Sequence, residues 1–301
     1  MKRVLLTLLL ALFAIGFFWT FSLSGQHAIQ KEDNQSVLGV HADRVIQSEL
    51  VQVFPPDEKT KIFVEKQVVG GVVPHHLLAA ASLAEFFSAL SNSKNPPITI
   101  IIIGPNHAET GKGRVITGKY AWGTPFGNLE ADVGLVDTLV KNGVTVLDEE
   151  SLENEHAIYS LTTFSRYFLP KTKIVPLSLS ANLTLDDAKA LGKKIAQLAG
   201  ERTIMVGSID FSHYLSTEKS NQKDQETLEA IKKKDYRLLE SYGNDHLDSP
   251  DALIAVLSFV EERSAGKNNL EMIRHTNSGL MQGKESAPGT SHFELGFTLG
   301  E

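Results

Sequence analysis

The chain of 301 residues contains no cysteine. That excludes disulfides, a thiolate nucleophile, a cysteine zinc site and a lipidated lipoprotein cysteine. A cysteine-free chain is also at ease in an oxidising compartment, without being confined to one. Positive charge is not in excess either. The net charge is −7, which argues against a nucleic-acid binder, whose phosphate footprint is basic. No G-x-G-x-x-G or G-x-x-x-x-G-K-[ST] loop opens a helix, so nucleotide binding has no support. The G-x-S-x-G elbow of a serine hydrolase is missing. Ser208, Asp210, Ser212 and His213 are neighbours on one loop and cannot form a triad by themselves. Internal repeats and low-complexity blocks are absent as well.

Long uncharged runs are scarce, with one exception. Lys2 and Arg3 precede residues 4–25, which carry no charge. About 20 apolar residues suffice to span a bilayer, whereas a cleaved signal has a shorter apolar core and a small-residue site, for which "SLSG" is a candidate. Residues 1–25 therefore read as a signal anchor or a signal peptide, the anchor being favoured by the length of the run. Positive residues on the short N-terminal side put that end in the cytoplasm and the main domain outside it, membrane-anchored or secreted. Residues 26–60 are polar and mixed and read as a linker, with a short helix or strand around 42–54.

From residue 61 to 301 the pattern alternates between β-branched apolar runs and helical stretches, the signature of an α/β domain. Strands are expected at 67–73, 98–104, 114–120, 172–179, 203–209, 270–276 and 292–299. Helices are expected at 77–90, 130–142, 156–168, 185–199, 219–233 and 250–264. The continuous apolar run "ITIIII" suits a central strand covered on both faces. The architecture implied is a single three-layer domain, a central mixed and mostly parallel sheet flanked by helices.

Histidines fall at the ends of these strands. "GGVV" runs into Pro74, His75 and His76; "IIIIG" into Pro105, Asn106 and His107; "TIMVGSI" into Asp210, Phe211, Ser212 and His213; "LEMIR" into His275. Ligands of open α/β sheets sit outside the carboxyl ends of the strands, and imidazoles gathered there can bind a divalent metal or act as a general base. His107 and one of His75 or His76 are expected as ligands, because adjacent side chains diverge. His213 is expected as base or ligand, with Asp210 positioned to orient it or to reach a metal. His275 and His156, which opens a helix in "ENEHAIYS", are further candidates. His27, His41 and His246 read as solvated loop or linker residues, and His292 is left open. Asn106 can donate to a bound anion or tie its own turn.

Several of these strings, in order, resemble the Memo-like family, also known as protein B of the AmmeMemoRadiSam system. They are "VVPHH", "IIIGPNHAET", "WGTPFGNLEAD", "ENEHAIYSLTTFSRYFLP", "VGSIDFSHY" and "HTNSG". The resemblance runs from about Val72 to the C-terminus and implies a fold similar to class III extradiol ring-cleaving dioxygenases. Those enzymes hold Fe(II) with two histidines and a carboxylate, leaving positions for catechol and oxygen. By resemblance, His75 and His107 fall on the two metal positions, His213 on the catalytic acid/base with Asp210 beside it, and His156 on a helix histidine near the pocket. This chain departs from the pattern in two loops: His76-Leu77-Leu78 stands where the family has Ala-Gly-Tyr, and Ala157-Ile158-Tyr159 replaces Ser-(Ile/Leu)-Glu. A third ligand is not fixed. Some relatives have a cysteine near Leu280-Met281, and His275, Met281, Glu271, Glu285 and Glu294 are the candidates here.

The function expected is that of a metal-dependent oxidoreductase using non-haem Fe(II), with copper or zinc possible. The alternatives are a metal-dependent hydrolase and a non-catalytic protein that binds a peptide or small molecule in the same cleft. The family's system name implies a radical S-adenosylmethionine partner in the cytoplasm; the N-terminal segment argues against that partnership for this chain.

Overall fold

The structure, a computed structural model, describes residues 38–45 and 61–300. The expected anchor or signal at 1–25, His27 and most of the linker lie outside the described residues. No helix among the described residues is long and apolar enough to cross a membrane.

In chain order the elements are β1 (Val40–His41), β2 (Val68–Val73), a 3-10 turn (Leu77–Ala79), α1 (Ala80–Ser91), β3 (Thr99–Pro105), β4 (Val115–Thr117), β5 (Ala121–Trp122), α2 (Val133–Lys141) and β6 (Val146–Leu147). Next come α3 (Glu149–Leu152), α4 (His156–Phe168), β7 (Lys173–Leu179), α5 (Leu185–Leu198), β8 (Thr203–Ser208), β9 (His213–Leu215) and α6 (Thr217–Lys233). The chain continues through α7 (Tyr236–Glu240), α8 (Pro250–Arg263), β10 (Asn268–Asn277), α9 (Ser278–Met281) and β11 (Gly289–Leu299).

The main sheet has the order β10-β11-β2-β8-β3-β7-β4-β6, and β9 pairs with β11. Its centre, β2, β8, β3 and β7, is parallel. β11 is antiparallel to β2, and β10 antiparallel to β11, so β10 runs in the same direction as the central four. The sheet is thus mixed and mostly parallel, with helices on both faces.

The run of isoleucines explains the layering. Ile100, Ile101, Ile102 and Ile103 are all 0% exposed. Alternate side chains of a strand point to opposite faces. Ile101 and Ile103 accordingly pack with Leu191 and Ile195 of α5 and Leu253 and Phe259 of α8. Ile100 and Ile102 pack with Phe86 and Phe87 of α1 and Leu161 and Phe164 of α4. Neither face of β3 meets water, so its backbone is held rigidly up to the tip where His107 follows.

Local chemistry sets several boundaries. Thr184 caps α5 in a reciprocal box with Asp187, as its sequence position indicates. Ser249 caps α8, and Pro250 occupies the first turn, where a missing N–H costs nothing. The strand expected over 114–120 stops at Thr117, because the Lys119 N–H donates to Glu149 Oε1 at 2.6 Å instead of to a neighbouring strand.

Two histidines expected in solvent are buried. His41 lies on β1, which pairs with β5, and is 1% exposed. Its Nδ1 meets Glu153 Oε2 at 2.5 Å and its Nε2 meets Glu149 Oε2 at 3.0 Å. Two carboxylates thus satisfy both nitrogens and make burial tolerable. His246 stacks on Tyr242 with ring centroids 3.7 Å apart and bonds Asp245 and Glu226.

Candidate metal centre

Three parallel strands deliver the site. β2 ends two residues before His75, β3 two before His107, and β8 two before Asp210. The strands pair directly through β8, so their C-terminal loops open at the same pole. α4 starts there too, with His156 as its first residue.

His75, His107 and His156 come together: each offers a ring nitrogen, and these nitrogens all lie within 4.8 Å of one another. The His107 and His156 rings stack with centroids 3.7 Å apart, and the His75 ring stands edge-on to both at 5.0 Å. A second group sharing His75, formed with Asp210 and Asp248, meets the same distance test. Exposure rises from floor to rim. The side chains of His75 and Asp210 are 3% and 4% exposed, against 32% for His107 and 42% for His156.

The scaffold holds two of the three imidazoles by their ring nitrogens. Glu155 caps α4 by accepting the Ala157 N–H. The same carboxylate accepts the His107 backbone N–H at 2.9 Å and meets His107 Nδ1 at 2.6 Å. A carboxylate on one ring nitrogen turns the other outward as a ligand, so His107 presents Nε2 to the cleft. His75 Nδ1 lies 3.3 Å from Ser208 Oγ, and its Nε2 lies 3.3 Å from Asp248 Oδ2 and 3.6 Å from Asp210 Oδ2. Asn106 ties its own loop, donating from Nδ2 to the Thr110 carbonyl at 2.7 Å and accepting the Thr110 N–H at its Oδ1.

Electrostatics follow from burial. Burial pushes the His75 imidazole down to about 4, so it is neutral near pH 7. His156 is lowered by burial and by the neighbouring His107. His213 is lowered by burial, against the pull of Asp210. Neutral imidazoles are the form that ligates metal. Asp248 is held well above the usual carboxylate range by burial and by the adjacent Asp210 charge. Of the two neighbouring carboxylates, Asp248 is therefore the one that favours a proton. Its Oδ1 is buried without a partner, as expected where a hydroxyl or a bound cation belongs.

Four of the residues expected from sequence, His75, His107, His156 and Asp210, are brought to one place. His213 starts β9 nearby, its Nδ1 buried and unpartnered. Asp210 does not bond that ring; its Oδ1 accepts the His75 backbone N–H at 3.2 Å. His275 is not brought in. Its Nε2 meets Asp224 Oδ2 at 2.7 Å and its ring stacks on Phe293 at 4.4 Å. Asp224 also accepts from Ser291 and Ser220, so His275 belongs to a buried polar network fastening α6 to β10 and β11. Glu271 pairs with Lys66, and Met281 is exposed on α9. The third imidazole in reach is therefore His156, and the carboxylates are Asp210 and Asp248. Asp248 and the orienting role of Glu155 were missed from sequence. Surface hollows of about 380 and 400 Å3 lie elsewhere, lined by residues such as Arg114 and Lys194 or Gln67 and Arg263.

Comparison with known proteins settles the family. The model for Memo-like proteins matches residues 42–290. The chain belongs to the Memo-like family. A MEMO1 family protein of Pyrobaculum aerophilum is 28% identical over 225 residues, spanning 72% of this chain and 79% of its own length. One from Methanobrevibacter smithii is 30% identical over 226 residues, spanning 73% and 79%. Among solved structures, an uncharacterized protein of Escherichia coli K12 superposes with a TM-score of 0.49 and 13% identity, covering 75% of this chain and 99% of that one. The site just described lies within the matched residues of this Memo-like chain.

The donor set fits a transition metal. Imidazole suits iron, copper and zinc, three protein ligands leave positions for water or substrate, and Asp248, whose Oδ1 is buried and unpartnered, lies against His75 through its other oxygen.

Proposed function

We propose that this Memo-like protein is a metal-dependent oxidoreductase acting on a small molecule, with iron(II) as the favoured ion held by His75, His107 and His156. The observation that carries the reading is the convergence of three ring nitrogens within 4.8 Å at the carboxyl ends of parallel strands. The bound metal would supply Lewis acidity and, as iron or copper, one-electron chemistry. Glu155 fixes the tautomer and direction of His107. His213, neutral at pH 7 and with Nδ1 free of any partner, accepts a proton from the substrate. Asp210 stays ionised beside His75, and Asp248 keeps a proton available at the floor.

The test is anaerobic reconstitution with iron(II), followed by oxygen uptake with catechols. The expected result is turnover that falls about 10²–10⁴-fold in His213→Gln, the usual range for a general base, with metal content unchanged. Turnover unaffected by that variant contradicts the role of His213.

A second reading, a metal-dependent hydrolase, is favoured by the donor set itself, since three imidazoles with an open position also describe catalytic zinc sites. Tight zinc uptake, no oxygen consumption and ester hydrolysis would decide for it. The uncharged run at residues 4–25 supports an extracytoplasmic location for the domain, to be checked by protease accessibility on intact cells.

A further inference from the structure

Tyr214 directly follows His213, and no packing explains its ring. It is 75% exposed, and its φ is 60°, in the left-handed region that an L side chain enters only at a cost. The register of β9 on β11 shows how it comes to be there. Gly289 stands opposite Leu215 and Thr290 opposite His213, so Tyr214 is an extra residue, a bulge. A bulge with a left-handed residue ordinarily takes glycine at that position. Here a large aromatic ring is held in strained backbone and in solvent, where it adds nothing to the core.

The bulge has one clear effect. Consecutive side chains of a regular strand point to opposite faces, which would carry the two rings apart. The His213 and Tyr214 ring centroids are instead 5.7 Å apart, with planes at 54°. The left-handed residue has turned the phenol to the side of its neighbour. That side is the cleft, since the charges of Asp210, His76 and His107 all reach the His213 ring. The flanking surface is apolar. α9 carries exposed Leu280 and Met281 and lies against the 3-10 turn that carries exposed Leu78. It is joined to β11 beside His213, where the Thr290 N–H donates to Ser278 Oγ.

We propose that Tyr214 grips the substrate, stacking its ring face on a flat unsaturated body whose ligating edge reaches the metal position and His213. The residue thereby selects small planar molecules over flexible or saturated ones. A tyrosine ring offers a large rigid contact with few torsions to freeze, and the strained backbone fixes where that contact points. The inference rests on the proposed metal site, which anchors the other end of the molecule.

The experiment measures, by calorimetry on the full chain loaded with zinc(II), the affinity of two chelating probes. One is 4-nitrocatechol, which has a flat ring. The other is acetohydroxamate, which also chelates through two oxygens but has no ring. Tyr214→Ala is expected to bind 4-nitrocatechol about 3–10-fold more weakly, the size of one aromatic pair, and acetohydroxamate equally well. Tyr214→Phe, which keeps the ring, is expected to bind both as the unaltered chain does. Tyr214→Gly is expected to melt higher, because glycine relieves the left-handed backbone, and to lose the same affinity for 4-nitrocatechol. Bound zinc without measurable 4-nitrocatechol affinity, unchanged affinity in Tyr214→Ala, or an equal loss for both probes overturns the role of Tyr214 and leaves the metal site standing. So does a loss in Tyr214→Phe as large as that in Tyr214→Ala, or a Tyr214→Gly variant that melts lower. Zinc absent from the loaded unaltered chain, by elemental analysis, overturns the metal reading and this inference with it.

Discussion

Glu155 accepts three protons' worth of geometry with one carboxylate: the Ala157 N–H that starts α4, the His107 N–H, and the Nδ1 side of the His107 ring. It is 4% exposed, and although burial works to raise its pKa, the hydrogen bonds and charge of His107 outweigh that and hold the carboxyl below its ordinary value. In Glu155→Gln the one oxygen left must serve both the helix cap and His107 Nδ1, the charge behind that ring is gone, and an amide faces the His107 N–H. Loss of an orienting partner of a metal-ligating histidine costs about 10–100-fold in affinity, and a fall of that size in metal affinity by calorimetry is expected, with melting little changed. Equal affinity in the two proteins contradicts the orienting role. The residues of this site were unevenly legible. His75, His107, Asp210 and His213 stand in short polar strings after apolar strands, so period and position were enough to find them. Asp248 was not legible, because "DSP" before an apolar helix reads as a capped helix start, and it is one. It meets Asp210 across 38 residues of chain, accepting the Asp210 N–H at its Oδ2 and donating its own N–H to the Asp210 carbonyl. His41 and His246 were misplaced for the same reason: their partners Glu149, Glu153 and Glu226 lie 20 to 112 residues away in the chain.

At the level of elements, the long strands and helices were legible because each shows several repeats of its period. Helix α4 begins and ends where the sequence puts it, at His156 and Phe168. β5, β6 and β9 have two or three residues each, too few for an alternation to register. Tertiary pairing alone defines them. One close packing point carries a strong prediction. Gly192 of α5 lies against α8, where an added Cβ would stand 2.1 Å from the Ala255 carbonyl oxygen. Backbone cannot yield cheaply there. The two helices together cover the face of β3 that holds Ile101 and Ile103. Gly192→Ala is expected to destabilise the domain by about 1–3 kcal/mol, the range for overpacking, measured by urea denaturation. A neutral or stabilising outcome, as ordinary helix propensity would give, contradicts the packing described.

At the scale of the whole molecule, burial of titratable groups sets how stability follows pH. Glu294 has both side-chain oxygens buried and unpartnered. Burial, with Glu85 nearby and Arg274 opposing, pushes it from the ordinary 4.5 up to about 9. Between those values the unfolded chain releases a proton that the folded chain keeps, so stability is full below about 4.5 and is lost as pH rises toward 9. The slope approaches about 1.4 kcal/mol per pH unit. His75 and His292, both pushed down to about 4 by burial, act with the opposite sign. The unfolded chain binds protons there between 6.5 and 4, and stability is lost as pH falls through that window. In the metal-free protein the two trends oppose each other between about pH 4.5 and 6.5, and Asp248, also raised by burial, adds to the trend of Glu294. Glu294→Gln is expected to flatten the alkaline limb above about pH 6.5, where the two histidines no longer titrate. Chemical denaturation across pH in the presence of a chelator checks both, and an alkaline limb identical in the two proteins contradicts the assignment.

The central claim is that β2, β3 and α4 converge to make one metal site. It is tested most directly by the metal content of the full chain purified without chelator and loaded anaerobically with iron(II), beside the His75→Ala/His107→Ala double variant. Stoichiometric metal in the unaltered chain, lost from a double variant that still melts cooperatively, is the expected result. Equal metal in the two proteins, or none in either, contradicts it.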